Sequence, residues 1–241
     1  MSSVRGSLNG KRVVITGASS GLGAECAHAF ARIGAEVILV ARRKTRLQKI
    51  CQKIRKNGGL SSYECTDLAN SQETLKLCQA IQKKYGAVHI LINNAAYYLE
   101  DSPVLETSLQ CWDRILNTNL RAPFILCREF LATMQKIDYG RIVNIISATN
   151  HVCGVSAFRI SKTGLEILSQ AIAEEINSQD ISIVSFNPGW MRTETSMNGH
   201  SPKGAASAIC QLVQRPANFA NARVIDVVWR GRKPILRRRR K

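Results

Sequence analysis

Short β-branched runs alternate with longer helical stretches along almost the whole chain, and that alternation restricts it to one broad architecture. Arg12 to Thr16 ends in glycines, a helical stretch from Gly21 to Ile33 closes at Gly34, and Glu36 to Ala41 is the next strand. A basic helix from Lys44 to Lys56 stops at Gly58-Gly59, and Leu60 to Cys65 reads as a weaker strand. Further helices are expected from about Ser71 to Tyr85, Cys111 to Gln135, Ala157 to Ser178 and Lys203 to Gln214. Further strands are expected at Val88 to Ile92, Arg141 to Ile146, Ile181 to Phe186 and Val224 to Val228. Pro123 predicts a local break or kink in the longest helix. Strands joined by helical crossovers make a parallel sheet, so the expected fold class is α/β, one doubly wound parallel sheet with helices on both faces.

At 241 residues, 45% of them hydrophobic, the chain fits one such domain with a sizeable core. The expected layout is a lead-in over 1–10, the folded domain over 11–229 and a basic C-terminal tail over 230–241. No apolar run approaches the roughly eighteen residues of a membrane helix, and Met1 to Arg5 carries no apolar segment of an export signal. The expectation is a cytoplasmic protein, with nuclear entry open through the basic tail. Eight cysteines with no Cys-x-x-Cys pair read as reduced thiols, and four dispersed histidines give no metal-ligand spacing, so no metal site is expected. The formal charge is +17, and the last twelve residues carry eight Lys/Arg and no acid. Arg237 to Lys241 is expected to repel itself into a disordered tail, solvated or in contact with an acidic partner.

Thr16-Gly17-Ala18-Ser19-Ser20-Gly21-Leu22-Gly23 lies between the first strand and the first helix. Glycines there let the backbone turn tightly and approach a pyrophosphate, whose charge a helix N-terminus favours. The end of the second strand bears on cofactor choice. NAD binders usually place an acid there for the ribose 2′-hydroxyl, whereas this chain has Ala41 and then Arg42-Arg43-Lys44. Arginine binds a 2′-phosphate bidentately and an acid would repel it, so NADP(H) is the expected cofactor. Arg42 is the first choice, Arg43 the second, and Ser19 a further contact.

The glycine octet resembles that of the short-chain dehydrogenase/reductase family, a Rossmann-type fold. Asn93-Asn94-Ala95-Ala96 resembles the family's Asn-Asn-Ala-Gly with alanine in the last place. Asp67-Leu68 matches its adenine-binding acid, and Pro188-Gly189-Trp190-Met191-Arg192-Thr193 matches Pro-Gly-x-x-x-Thr, whose threonine contacts the nicotinamide amide. The resemblance runs from about Lys11 to Val228. It implies cofactor contacts at Gly17, Ser19, Ser20, Gly21, Leu22, Gly23, Asp67, Leu68, Asn94, Pro188, Gly189 and Thr193, with Lys162 on the ribose.

The same resemblance implies a catalytic set of Asn119, Ser147, Lys162 and position 158. In the family a tyrosine at the last position donates the proton, the lysine lowers its pKa, the serine fixes the substrate oxygen and the asparagine holds a water. Here Phe158 occupies the tyrosine position, one helical turn before Lys162. Phenylalanine cannot donate a proton, and general acid catalysis is worth about 10²–10⁴-fold in rate. His151, Cys153, Ser156, Tyr97 and Tyr98 are the candidate substitutes, with Tyr97 and Tyr98 expected on the pocket wall. Two functions follow. The first is an NADP(H)-dependent oxidoreductase acting on a small-molecule carbonyl or alcohol, with weakened or unconventional activity. The alternative is a non-catalytic NADP(H)-binding pseudoenzyme serving as sensor or scaffold. Relatives pair through two long helices, so a homodimer or homotetramer is expected.

Overall fold

The alternation of residues along the strands sorts the core into two layers. A computed structural model describes residues 7–98, 103–147, 156–178, 180–191, 199–230 and 233–239. Its strands are β1 (Arg12–Thr16), β2 (Glu36–Ala41), β3 (Leu60–Cys65), β4 (Ile90–Asn93), β5 (Gly140–Ile145), β6 (Ile181–Asn187), β7 (Val224–Arg230) and β8 (Lys233–Arg238). The α-helices are α1 (Gly21–Arg32), α2 (Lys44–Lys56), α3 (Ser71–Tyr85), α4 (Leu109–Leu116), α5 (Ala122–Lys136), α6 (Ser156–Glu175) and α7 (Pro202–Val213). They form one sheet in the order β3-β2-β1-β4-β5-β6-β7-β8. Every pairing is parallel except the last.

Because strand side chains alternate between faces, Val13, Ile15, Val37, Leu39, Ile90 and Ile92 pack with α1, α2 and α7. Val14, Ile38, Val40, Leu91 and Ile142 pack with α3, α5 and α6 on the opposite face. Strands β4, β5 and β6 are buried along their whole length, as parallel strands covered on both faces must be. Strand order reverses between β1 and β4. Their C-terminal ends therefore open a crevice where the crossovers diverge to the two sides, the place at which ligands bind in open α/β sheets.

The stretch expected to be helical from Cys111 to Gln135 is so, and the break expected near Pro123 is a π-helical turn over Asn117–Arg121 that joins α4 to α5. Ala122 N–H donates to Asn117 O across that turn. Pro123 has no N–H to donate, and it stands directly after this turn, in the first turn of α5, where the regular bonding pattern is already interrupted.

The self-repelling tail is a correction. Lys233–Arg238 forms the edge strand β8, antiparallel to β7 in the register Trp229↔Pro234 to Ile225↔Arg238. Its basic charge is offset by neighbours that sequence alone did not bring near. Arg239 Nε and Nη2 donate to the two carboxylate oxygens of Asp226 at 3.0 and 2.7 Å, and Nη1 donates to Glu166 at 3.3 Å. Leu236 packs against the core, and Arg238 lies 4.4 Å from the centre of the Phe219 ring. Lysine, arginine and Pro234 on this last strand are the residues that discourage edge-to-edge pairing with other chains.

Burial alone would raise the Asp226 carboxyl, but hydrogen bonds from Arg239 and Asn187 outweigh it and hold the group below its ordinary value. A depressed carboxylate stabilises the fold above its unfolded pKa of about 3.9, and that contribution is lost as pH falls through the lower folded value. Arg239→Ala should cost about 1 kcal/mol at neutral pH. In thermal melts across pH, the gap between wild type and variant should be full at pH 6 and close below about pH 4.

Candidate functional site

The turn after β1 is held by a side chain from β4's end. Asn94 Nδ2 donates to Thr16 O at 2.9 Å and to Gly17 O at 3.4 Å. Thr16 Oγ1 accepts from the backbone N–H groups of Asn94 and Ala95, both at 3.0 Å, and donates to Ile92 O at 3.3 Å. Two adjacent parallel strands are thereby locked where they diverge. Asn94, expected among the cofactor contacts, shapes the turn with its own amide.

Glycine is required at three points of that turn. Gly17 has φ +65°, and a Cβ there would stand 2.8 Å from Ala95 Cα. A Cβ at Gly23 would stand 2.5 Å from Gly17 O, so α1 can pack this close only without one. Gly21, at φ +53°, faces open space with no heavy atom within 4 Å of where a Cβ would be. The α1 N-terminus follows at once, with no side chain capping it, so its first N–H groups point outward unsatisfied by a cap. Ala96, where the family has glycine, is exposed and has no positive φ, so nothing in the backbone demands glycine there.

These parts line a cleft of about 500 Å³ at the C-terminal ends of β1, β2 and β4. Of the expected residues, Gly17, Ser19, Ser20, Arg42, Arg43, Asp67, Leu68 and Asn94 line it. Gly21, Leu22 and Gly23 begin α1 beside it. Asp67 is the single acid among the described residues that line it, tied to Ala69 N–H at 3.1 Å and 3.7 Å from Arg114. Arg43, second choice from sequence, is the arginine that reaches the glycine turn: its guanidinium donates to Ser19 Oγ at 2.9 Å and Ser20 Oγ at 2.7 Å. Arg42 lines the same cleft and is exposed. Sequence reasoning missed Thr66, Ala95, Ala96 and Thr118 on the cleft wall. Their signal was only their adjacency to recognised motifs.

Beyond the cleft, Asn119 sits in the π-helical turn, fully buried. It exchanges hydrogen bonds with the Tyr97 backbone, accepting from N at 2.7 Å and donating to O at 3.0 Å, and donates to Ser161 Oγ at 3.1 Å. Ser161 passes the chain on to Phe158 O at 2.7 Å. Lys162 Nζ donates to Ile145 O at 2.7 Å, at the end of β5. Burial brings the lysine pKa down to about 8. Its Nζ lies 5.7 Å from the Phe158 ring centre, and Tyr98 meets that ring edge-on at 5.1 Å between centroids. Tyr97 is on the cleft wall, as expected, and Tyr98 is partly exposed.

Ser147 follows β5 and is partly buried. Ser156 Oγ, in the first turn of α6, is buried without a hydrogen-bond partner among the described residues. Pro188 and Gly189 follow β6: Pro188 O accepts from Trp229 Nε1 at 3.3 Å, and Gly189 has φ +74°. His151, Cys153 and Thr193 lie outside the described residues. Among the described residues no group of histidine, cysteine or carboxylate side chains could hold a metal, and no helix is long and apolar enough to cross a membrane.

The glycine turn, the asparagine that pins it and the lysine one turn beyond position 158 share one set of strand ends. The short chain dehydrogenase family profile matches residues 11–204. The chain belongs to that family. It is 30% identical over 205 residues to the 3-oxoacyl-(acyl-carrier-protein) reductase FabG of Pseudomonas aeruginosa, covering 84% of this chain and 82% of that protein. It is 32% identical over 209 residues to dehydrogenase/reductase SDR family member 7B of Danio rerio, covering 83% and 67% respectively. Among solved structures, a metagenomic short-chain oxidoreductase in complex with NADP superposes with a TM-score of 0.82 at 28% identity, covering 92% of this chain and 97% of that one. A putative NAD(P)-dependent gluconate 5-dehydrogenase from Beutenbergia cavernae with bound NADP gives 0.85 at 26% identity, covering 92% and 96%.

For this family member the tightest backbone approach is testable. Gly23→Ala forces Gly17 O or α1 to shift and should cost about 1–3 kcal/mol in denaturant melts, as overpacking does. A wild-type midpoint would show that the turn yields more easily than its contacts indicate.

Proposed function

We propose that the chain is an NADP(H)-dependent oxidoreductase acting on a small-molecule carbonyl or alcohol, with the proton-transfer part of its chemistry weakened. Phe158 carries this reading: its ring stands beside Lys162, one turn away on α6, and offers no hydroxyl. The cofactor fits the residues present. The cradle has no room for a Cβ at Gly17 or Gly23 and is open above Gly21, the α1 N-terminus offers backbone donors, and two arginines replace the acid that an NAD ribose would use. The two structural neighbours described above carry NADP.

In this reading Arg43, braced on Ser19 and Ser20, and Arg42 bind the 2′-phosphate, and Asp67 and Leu68 meet the adenine. Pro188, Gly189 and Thr193 meet the nicotinamide end. Lys162 has three N–H groups, one of them given to Ile145 O, and offers the others to the ribose. When bound, the nicotinamide gives or accepts the hydride. Ser147 orients the substrate oxygen, Asn119 holds Ser161 and the Tyr97 backbone in place, and Phe158 fills the donor's slot without protonating that oxygen. Positioning still contributes to rate without the acid, so turnover is slow rather than zero.

A non-catalytic NADP(H)-binding protein, acting as sensor or scaffold, is the second reading. Phe158 favours it, as does Lys162, whose recorded hydrogen bond goes inward to the strand. Homo-oligomers fit both readings, since Phe124 on α5 and Ile160 and Ile167 on α6 are exposed apolar side chains on the pair of helices through which relatives associate.

Three measurements test these assignments. Phe158→Tyr should raise turnover of generic carbonyl substrates with NADPH by about 10²–10⁴-fold; an unchanged rate refutes the role given to position 158. Wild type oxidising no NADPH against a broad carbonyl panel, while still binding it, selects the second reading. Arg43→Ala should weaken NADPH at least about tenfold and leave NADH nearly unaffected, since a charge-assisted pair is worth about 1.5–3 kcal/mol. Equal losses for both nucleotides would remove the 2′-phosphate assignment.

A further inference from the structure

The helices on the two faces of the sheet carry very different charge. Helices α3, α4, α5 and α6 mix acids with bases. Helices α1, α2 and α7, which share the other face, contain a single carboxylate, Glu25. Helix α2 alone has six Lys/Arg in thirteen residues and no acid. Its buried positions, Leu47, Cys51 and Ile54, face the core. Arg46, Lys49, Lys53 and Lys56, spaced three, four and three apart, make one exposed stripe on the outer side. At 1.5 Å per residue the stripe is about 15 Å long.

Neighbouring helices extend it. His28 on α1 is pushed below the usual imidazole range first by burial and then by the charge of Lys53, with Arg32 and Lys203 adding to it and Glu25 opposing. Cations from α1, α2 and α7 therefore sit close enough to act on one ring. None of these side chains lines the cleft at the strand ends. A layer this one-sided repels itself and gains from a partner that supplies dense negative charge.

We propose that the α1–α2–α7 layer binds the phosphodiester backbone of duplex nucleic acid, with the Arg46-Lys49-Lys53-Lys56 stripe as its principal contact and Arg32 and Lys203 beside it. A duplex carries one charge per roughly 1.7 Å of axis, so a stripe of this length meets several phosphates. Each exposed position of α2 is Lys, Arg, Thr or Gln up to its C-terminus. The helix thus offers no aromatic ring for unpaired bases to stack on, as single-strand binders do. It likewise offers no apolar anchor to enter a bilayer, as interfacial helices do. The contacts assigned are all to phosphates, so the binding proposed is independent of sequence.

Fluorescence anisotropy of the full chain with a labelled mixed-sequence duplex of about 25 base pairs, from 50 to 300 mM salt, tests this. Wild type should bind, with log K falling against log salt at a slope of about −3 to −4, the value for four phosphate contacts. Lys49→Gln/Lys53→Gln should make the slope shallower by about 2 and weaken binding at least about tenfold at 100 mM salt. Both lysines are exposed, so the melting temperature should be unchanged; should it fall, Lys53→Gln alone serves, with a slope change of about 1. Arg237→Gln/Arg238→Gln on β8 is the comparison for the C-terminal charges. Absence of binding at 50 mM salt, a slope unchanged by the α2 substitutions, or tighter binding to vesicles containing phosphatidylserine than to the duplex would each overturn the proposal.

Discussion

One side-chain amide holds the functional end of this molecule together. Asn94 ties the carbonyls of Thr16 and Gly17 to the end of β4, and Thr16 returns the link through its hydroxyl. β1 and β4 are the strands between which the crossovers change side, so their ends would otherwise splay. Pinning them fixes the glycine turn, the entry of α1 and the near wall of the cleft at once. The cost is strict. Gly17 and Gly23 have no room for a Cβ because the carbonyl and the amide occupy that space.

A second buried chain organises the other half of the site. Asn119 can reach Tyr97 and Ser161 together because the π-helical turn places it at the junction of α4 and α5, facing α6. Through Ser161 it touches the backbone of Phe158, and the next residue, Lys162, hooks onto β5. Position 158 is thus held by its backbone on the helix that carries Lys162. Its ring is packed by Tyr98, which supports the aromatic shape of the slot independently of proton transfer. Both proposed functions rest on this placement. Chemistry at that one position divides them.

Much of this was legible in the chain. Short apolar runs alternating with longer, glycine-terminated helical stretches gave the doubly wound sheet, because hydrophobic patterning is a local property. Motif order placed Gly17, Arg43, Asp67 and Asn94 on one cleft, since residues following consecutive parallel strands must emerge at the same sheet edge. The π-helical turn was not legible. Proline signals a break without saying how neighbouring carbonyls are satisfied. The C-terminal strand was misread outright, because a run of arginines looks self-repelling until Asp226 and Glu166, distant in sequence, come alongside Arg239.

Sequence by itself determined which residues could be brought to the strand ends and that position 158 carries no hydroxyl, because a phenyl ring lacks a proton donor in any fold. Tertiary structure decided which arginine braces the glycine turn, how far burial lowers Lys162 and where the excess positive charge is displayed. Those are properties of distance and solvent exposure between segments far apart along the chain. Charge and burial act through space, and only the packed sheet sets that spacing.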